Sequence, residues 1–134
     1  MLQFSKKVEY GLIALRHMAV QPYGCVFTAK EIAESYDIPF DLLAKVLQKL
    51  SKAGILSSTQ GMRGGYSLFR KPDEIAIADV IDVIEDEKPS ITNCAGSQVS
   101  SCSCYERCSI REPMEKVQRS ITDVLEKIML SEII

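Results

Sequence analysis

Apolar residues return every three or four positions near the start of the chain, at Val8, Leu12, Leu15 and Ala19 with Ile13 beside them. That period predicts an amphipathic helix from Phe4 to Val20, and Pro22, Tyr23 and Gly24 end it. In the next stretch, TAKEIAESY, Thr28 is followed three residues later by Glu31, a capping box for a short helix with Ile32 and Ala33 inward. Tyr36 and Asp37 form a turn, Pro39 suits a first helical position, and Leu43, Val46, Leu47 and Leu50 make one apolar stripe that stops at Gly54. Two helices of this kind around a tight turn are a helix-turn-helix pattern, with Phe40, Asp41, Ala44, Lys45, Gln48 and Lys49 left outside. Two extended runs follow, ILSSTQ and GYSLFR, separated by GMRG. Glycines at 61, 64 and 65 permit a hairpin tip, and a ribbon directly after a recognition helix is a wing. Ile75, Ile77, Val80, Ile81 and Ile84 predict a short extended piece and then an amphipathic helix. Met114, Val117, Ile121, Val124 and Ile128 then alternate at spacings of three and four, with Leu125 broadening the stripe. That is a two-heptad seam. It asks for a cover, most simply its own copy; the other arrangement folds it back on the first helix.

With 134 residues the chain can bury one modest core. At 46% apolar and 25% charged residues it has the composition of a folded domain. No run approaches the roughly 18 apolar residues of a membrane span, since the best candidate, Tyr10 to Val20, carries Arg16 and His17. The start, MLQFSKKVEYGL, lacks an export signal core, so the expected location is cytoplasmic and no membrane is involved. Net charge informs only when the chain is divided. Residues 1–71 hold ten Lys and Arg against five Asp and Glu, whereas residues 72–134 hold six against thirteen. The first part can meet a polyanion and the second would be repelled by one.

Four of the five cysteines lie between 94 and 108, in a segment rich in Ser, Gly and Asn that reads as a loop. In a cytosolic protein such an array points to metal ligation or redox thiols before structural disulfides. The spacing is Cys94-x7-Cys102-x1-Cys104-x3-Cys108. It lacks the C-x2-C pairs of zinc ribbons and the C-x2-C-x2-C run of ferredoxins. Three widely spaced thiolates can wrap a larger inorganic core if a fourth ligand arrives from elsewhere. Zinc and a cluster-free redox pair stay open as alternatives. Cys25, alone in the first inter-helix loop, reads as a small buried hydrophobe, and His17, beside the apolar face of the first helix, as a structural histidine. No nucleophile and base pairing, phosphate loop or HExxH motif is present, so the chain is expected not to be an enzyme.

The pieces FSKKVEYGLIAL, IAESYDIPFDLLAKVLQKLSKAGIL, QGMRGGYSL, IAIADVIDVIE, the cysteine loop and the closing MLSEII together resemble the IscR/NsrR family of dimeric bacterial winged-helix regulators, over essentially the whole chain. The resemblance implies a mostly α fold with a small β-hairpin, a winged helix-turn-helix plus a long C-terminal dimerisation helix. The expected boundaries are 1–88 for the DNA-binding domain, 89–109 for the cluster loop, and 110–134 for the dimerisation helix and tail. It also implies a repressor or activator controlled by an iron–sulfur cluster that senses nitric oxide, oxygen or iron status. The family's three cysteine ligands match Cys94, Cys102 and Cys108; Cys104 is an addition and an alternative ligand. Members resembling IscR take a fourth ligand from a histidine three residues past the last cysteine, where this chain has Arg111. Members resembling NsrR use an acidic residue just before the tyrosine of the first helix, supplied by the partner subunit, and Glu9 matches it. Three thiolates and one carboxylate resemble a 4Fe–4S site, preferred over 2Fe–2S.

For DNA, the family's contact positions fall on Phe40, Asp41 and Leu42 at the start of the recognition helix and on Gln60 in the wing, where relatives often carry Arg and where Arg63 can take over. Lys45 and Lys49 are the expected phosphate contacts. A homodimer of such heads expects a palindromic double-stranded operator with half-sites about one or two helical turns apart.

Overall fold

The computed structural model of the chain describes residues 3–86, 91, 107 and 109–134; the four clustered cysteines lie outside that set. Helix α1 spans Lys6–Ala19 and begins two residues later than the apolar period alone suggests, because the Ser5 hydroxyl accepts the Val8 N–H at 3.3 Å and caps it there. Helix α2, Ala29–Tyr36, carries the expected capping box. The Thr28 hydroxyl accepts the Glu31 N–H at 3.1 Å, and the Glu31 carboxylate accepts the Thr28 N–H at 3.2 Å. Asp37 ends α2 in the left-handed region, φ 55°, a conformation that a short polar side chain tolerates. Helix α3, Phe40–Lys52, starts one residue after the expected position: Pro39 is its cap, not its first turn, because ψ 121° leaves Pro39 extended while its carbonyl already accepts the Leu43 N–H.

Strands β1, Leu56–Thr59, and β2, Gly65–Leu68, pair antiparallel from Leu56 opposite Leu68 to Thr59 opposite Gly65. A third piece of backbone joins this hairpin. Phe27 and Tyr66 exchange both backbone hydrogen bonds, at 2.8 and 2.7 Å. The approach is close enough that a Cβ on Gly65 would lie 2.5 Å from the Phe27 carbonyl oxygen, so only glycine lets the wing seat against the loop before α2. A 3₁₀ turn, Pro72–Glu74, leads to helix α4, Ile77–Ile84, and the C-terminal helix α5 spans Arg111–Lys127.

The core gathers Val8 and Leu15 of α1, Ile32 of α2, Leu43, Leu47 and Leu50 of α3, and Ile84 of α4, all at or near zero exposure. Each such residue contributes about 1.5–3 kcal/mol by leaving water. Among the described residues no polar side chain is buried, so this core holds by apolar packing alone. Gly11 is buried where α1 meets α4, and a Cβ there would stand 2.5 Å from Ile84 Cδ1. The C-terminal tail returns to the same core: Ile77 N–H donates to the Ile128 carbonyl at 2.9 Å, Leu130 N–H to the Ile75 carbonyl at 2.7 Å, and the Leu130 side chain is fully buried.

Within the chain α5 packs chiefly on α4, whereas the fold-back alternative put it on α1. Leu125 and Ile128 touch the core, whereas Val117 and Val124 stay 42% and 56% exposed. They line a groove of about 600 Å³ with Ile121 and Leu125.

Candidate nucleic-acid interface

Helix geometry gives α3 two opposed faces. Leu43, Val46, Leu47 and Leu50 point into the core, and at 100° per residue the opposite face carries Asp41, Lys45, Gln48 and Lys52, all exposed. Phe40 opens the helix as an exposed aromatic, 52% accessible, and Leu42 is half-buried. The wing flanks one side of this face. A groove of about 370 Å³ runs between the two, lined by Gln48, Ser51 and Lys52 of α3 and by Ser58, Thr59 and Gln60 of the hairpin. Its lining is amides, hydroxyls and one ammonium with no carboxylate, a donor set suited to phosphate and sugar oxygens. At the hairpin tip Gly64 N–H closes onto the Gly61 carbonyl at 3.0 Å, and Met62 and Arg63 project into solvent.

Of the expected contact residues, Asp41 and Lys45 stand on the outer face of α3, Gln60 lines the groove beside it and Arg63 is exposed at the hairpin tip, whereas Phe40 lines a separate hollow with Lys30, Ala33 and Glu34 of α2. Lys49 is placed differently. It sits on the flank of α3 turned towards α4, half-buried, and its ammonium donates to the Ile84 carbonyl at 3.1 Å and to the Asp86 carboxylate at 2.9 Å. The hydrogen bond from Lys49, and then its charge, hold the Asp86 carboxyl below the usual carboxylate range. Lys52 is a residue the sequence reading passed over. Its signal was the seven-residue interval from Lys45, two helical turns along the same face.

Glu9 lies in the first turn of α1 with its carboxylate 2.7 Å from the Lys6 ammonium, both on the surface. The hydrogen bond that Lys6 donates to Glu9, and then the charge of Glu9, raise the Lys6 pKa. The other three expected cluster ligands, Cys94, Cys102 and Cys108, and the alternative Cys104 fall outside the described residues. Among the described residues no three His, Cys, Asp or Glu side chains converge as a metal site. His17 links α1 to α2: its Nδ1 is 2.8 Å from the Tyr36 hydroxyl and its ring meets Phe27 edge-on with centroids 4.9 Å apart. Cys25 is exposed, not the buried hydrophobe expected. The turn that closes Cys25 N–H onto the Pro22 carbonyl, with Gly24 at φ 92°, lifts this loop off the core.

Helix α2, the Asp37 turn, α3 and the β1–β2 hairpin together make a winged helix-turn-helix. The profile of the Rrf2 family, described as iron-dependent transcriptional regulators, matches residues 4–134, and the chain belongs to that family. Its members are transcriptional regulators and not enzymes. An Aquifex aeolicus protein assigned as an HTH-type transcriptional regulator is 45% identical over 83 residues, 62% of this chain. The match spans only 57% of that relative's length. The HTH-type transcriptional regulator NsrR of Shouchella clausii is 26% identical over 99% of this chain and 89% of its own. Among solved structures, CymR, the global cysteine regulator of B. subtilis, superposes with a TM-score of 0.75 at 27% identity, over 99% of this chain and 96% of that one. No helix among the described residues is long and apolar enough to cross a membrane.

Proposed function

We propose that the chain is a cytoplasmic, homodimeric transcriptional repressor whose affinity for a palindromic operator is set by an iron–sulfur cluster. The observation that carries the DNA part is the groove between α3 and the wing, lined by Gln48, Lys52 and Gln60, with Lys45 and the acidic exception Asp41 exposed on the same helix face as Lys52 and Arg63 exposed at the hairpin tip. Recognition-helix residues Phe40, Asp41 and Leu42 face base edges in this reading, while Lys45, Lys52, Gln60 and Arg63 hold backbone and minor groove. The dimer part rests on the uncovered stripe of α5.

For the cluster, the support is the family's description as iron-dependent and the donor set: Cys94, Cys102 and Cys108, with Glu9 from the partner subunit and Cys104 in reserve. Glu9 fits this role. Its carboxylate is engaged only by an exposed lysine among the described residues, and a solvent-screened surface pair of this kind yields readily to a metal. When bound, a 4Fe–4S or 2Fe–2S centre supplies an iron that reacts with nitric oxide or dioxygen. The chain's own contribution is to position the donors: α1 fixes Glu9 relative to the reading head, because Val8 beside it is fully buried. A coupling of about 1–3 kcal/mol between that site and DNA changes operator affinity about 5- to 150-fold.

The test is anaerobic purification with iron and acid-labile sulfide analysis and a visible spectrum. Coloured protein with both elements is expected, together with loss of cluster stability in Glu9→Ala. Colourless protein without iron rejects the cluster and favours the cluster-free thiol reading, which the likeness to a cysteine regulator supports; iron-free protein that retains zinc favours a zinc site.

A further inference from the structure

Lys49 stands apart from the other cations of the reading head. Lys45 and Lys52 project from the outer face of α3 with no ion pair among the described residues, whereas Lys49, about 40° round the helix from Lys45, is turned to the end of α4. Two oxygens hold it there. The Ile84 carbonyl belongs to the last residue of α4, where the helix dipole presents negative charge, and Asp86 adds a full negative charge two residues on.

Resting on the DNA-binding reading above, we propose that Asp86 is an intramolecular competitor of DNA: its carboxylate occupies the Lys49 ammonium as a phosphate oxygen would, and holds the affinity of the head down. The geometry suits an exchange. Both oxygen sets offer what an ammonium takes from phosphate, and a four-carbon stem can swing from the flank of α3 to its outer face. The Asp86 side chain is 79% exposed and the Lys49 side chain 36%, so the pair is weak and a modest displacement of either partner breaks it. Any rearrangement that draws Asp86 away then adds a cation to the DNA surface without touching a contact residue.

The experiment titrates the full chain, purified anaerobically, onto a mixed-sequence duplex of about 30 base pairs by fluorescence anisotropy, from about 50 to 200 mM salt. Asp86→Asn is compared with Asp82→Asn, an equal charge change at an exposed α4 position, and each is repeated in a Lys49→Ala background. The expected result is a gain of about three- to tenfold for Asp86→Asn with a salt slope steeper by about 1. Asp82→Asn should gain less with its slope unchanged, and the two should become equal once Lys49 is gone. The proposal is overturned if Asp86→Asn does no more than Asp82→Asn, if its gain survives in Lys49→Ala, or if only the melting temperature moves, as it would were Lys49 merely a cap on α4. Absence of salt-dependent binding by the unmodified chain would instead reject the DNA reading itself, and this brake with it.

Discussion

Helices α3 and α5 are written in the same pattern and end in opposite situations. Both carry one apolar stripe, over 13 and 17 residues respectively. The stripe of α3 is consumed by the chain itself, since Leu43, Val46, Leu47 and Leu50 are all buried, whereas α5 has no buried residue. The difference is one of neighbours. Helix α3 is surrounded by α1, α2, α4 and β1, while α5 has α4 on one side and a groove on the other. Periodicity thus reports that a face will be covered and is silent about which chain covers it.

The largest effect expected is on the self-contained side. Leu47 is fully buried on α3, and Leu47→Ala should cost about 2–5 kcal/mol through lost transfer energy and the cavity left behind. Urea unfolding followed by far-ultraviolet circular dichroism measures it. A loss below about 1 kcal/mol would mean that α3 is not the keystone of the head and would erase the contrast with α5.

Next in size is a charge on the open side. Val124→Asp places a carboxylate on the exposed α5 stripe, and in the proposed dimer it should cost about 2–4 kcal/mol of association, or about 30- to 1,000-fold in the dissociation constant. Sedimentation equilibrium reads this directly. Because Val124 is an exposed position outside the buried core, the urea midpoint of the head should stay within the effect of weaker association alone. Unchanged self-association would show that the groove is covered by something other than a second copy.

Much of the head could be read from the residues, and the exceptions share a cause. The capping box of α2, the stripe of α3 and the hairpin depend on neighbours a few positions away, so local pattern suffices. The Phe27–Tyr66 pair and the return of Leu130 beneath Ile75 join segments 39 and 55 residues apart, with one or two hydrogen bonds each and no period to reveal them. Lys49 failed to be legible for the same reason. Its flank position follows from helix geometry, but its partners do not, because they exist only once α4 is docked and its end, from Ile84 to Asp86, faces α3. The clustered cysteines announce chemistry by composition, while the fourth ligand of the proposed cluster would depend on where a second chain lies.

The smallest effect separates the two helices at their first turns. Helix α2 satisfies the Glu31 and Thr28 N–H groups at its start with the side chains of Thr28 and Glu31, whereas α5 follows Ile110 with no side-chain cap among the described residues. Thr28→Ala should therefore destabilise the head by about 1 kcal/mol, seen as a lowered urea midpoint with an unchanged slope. The cap also fixes the residue after Phe27, whose backbone carries the wing through Tyr66, so DNA affinity should weaken modestly along with stability. Self-association should not move. If Thr28→Ala loosened the dimer as much as the head, α5 would be folding as part of one cooperative unit with α2, and the division between a self-sufficient head and a partner-dependent helix would have to be abandoned.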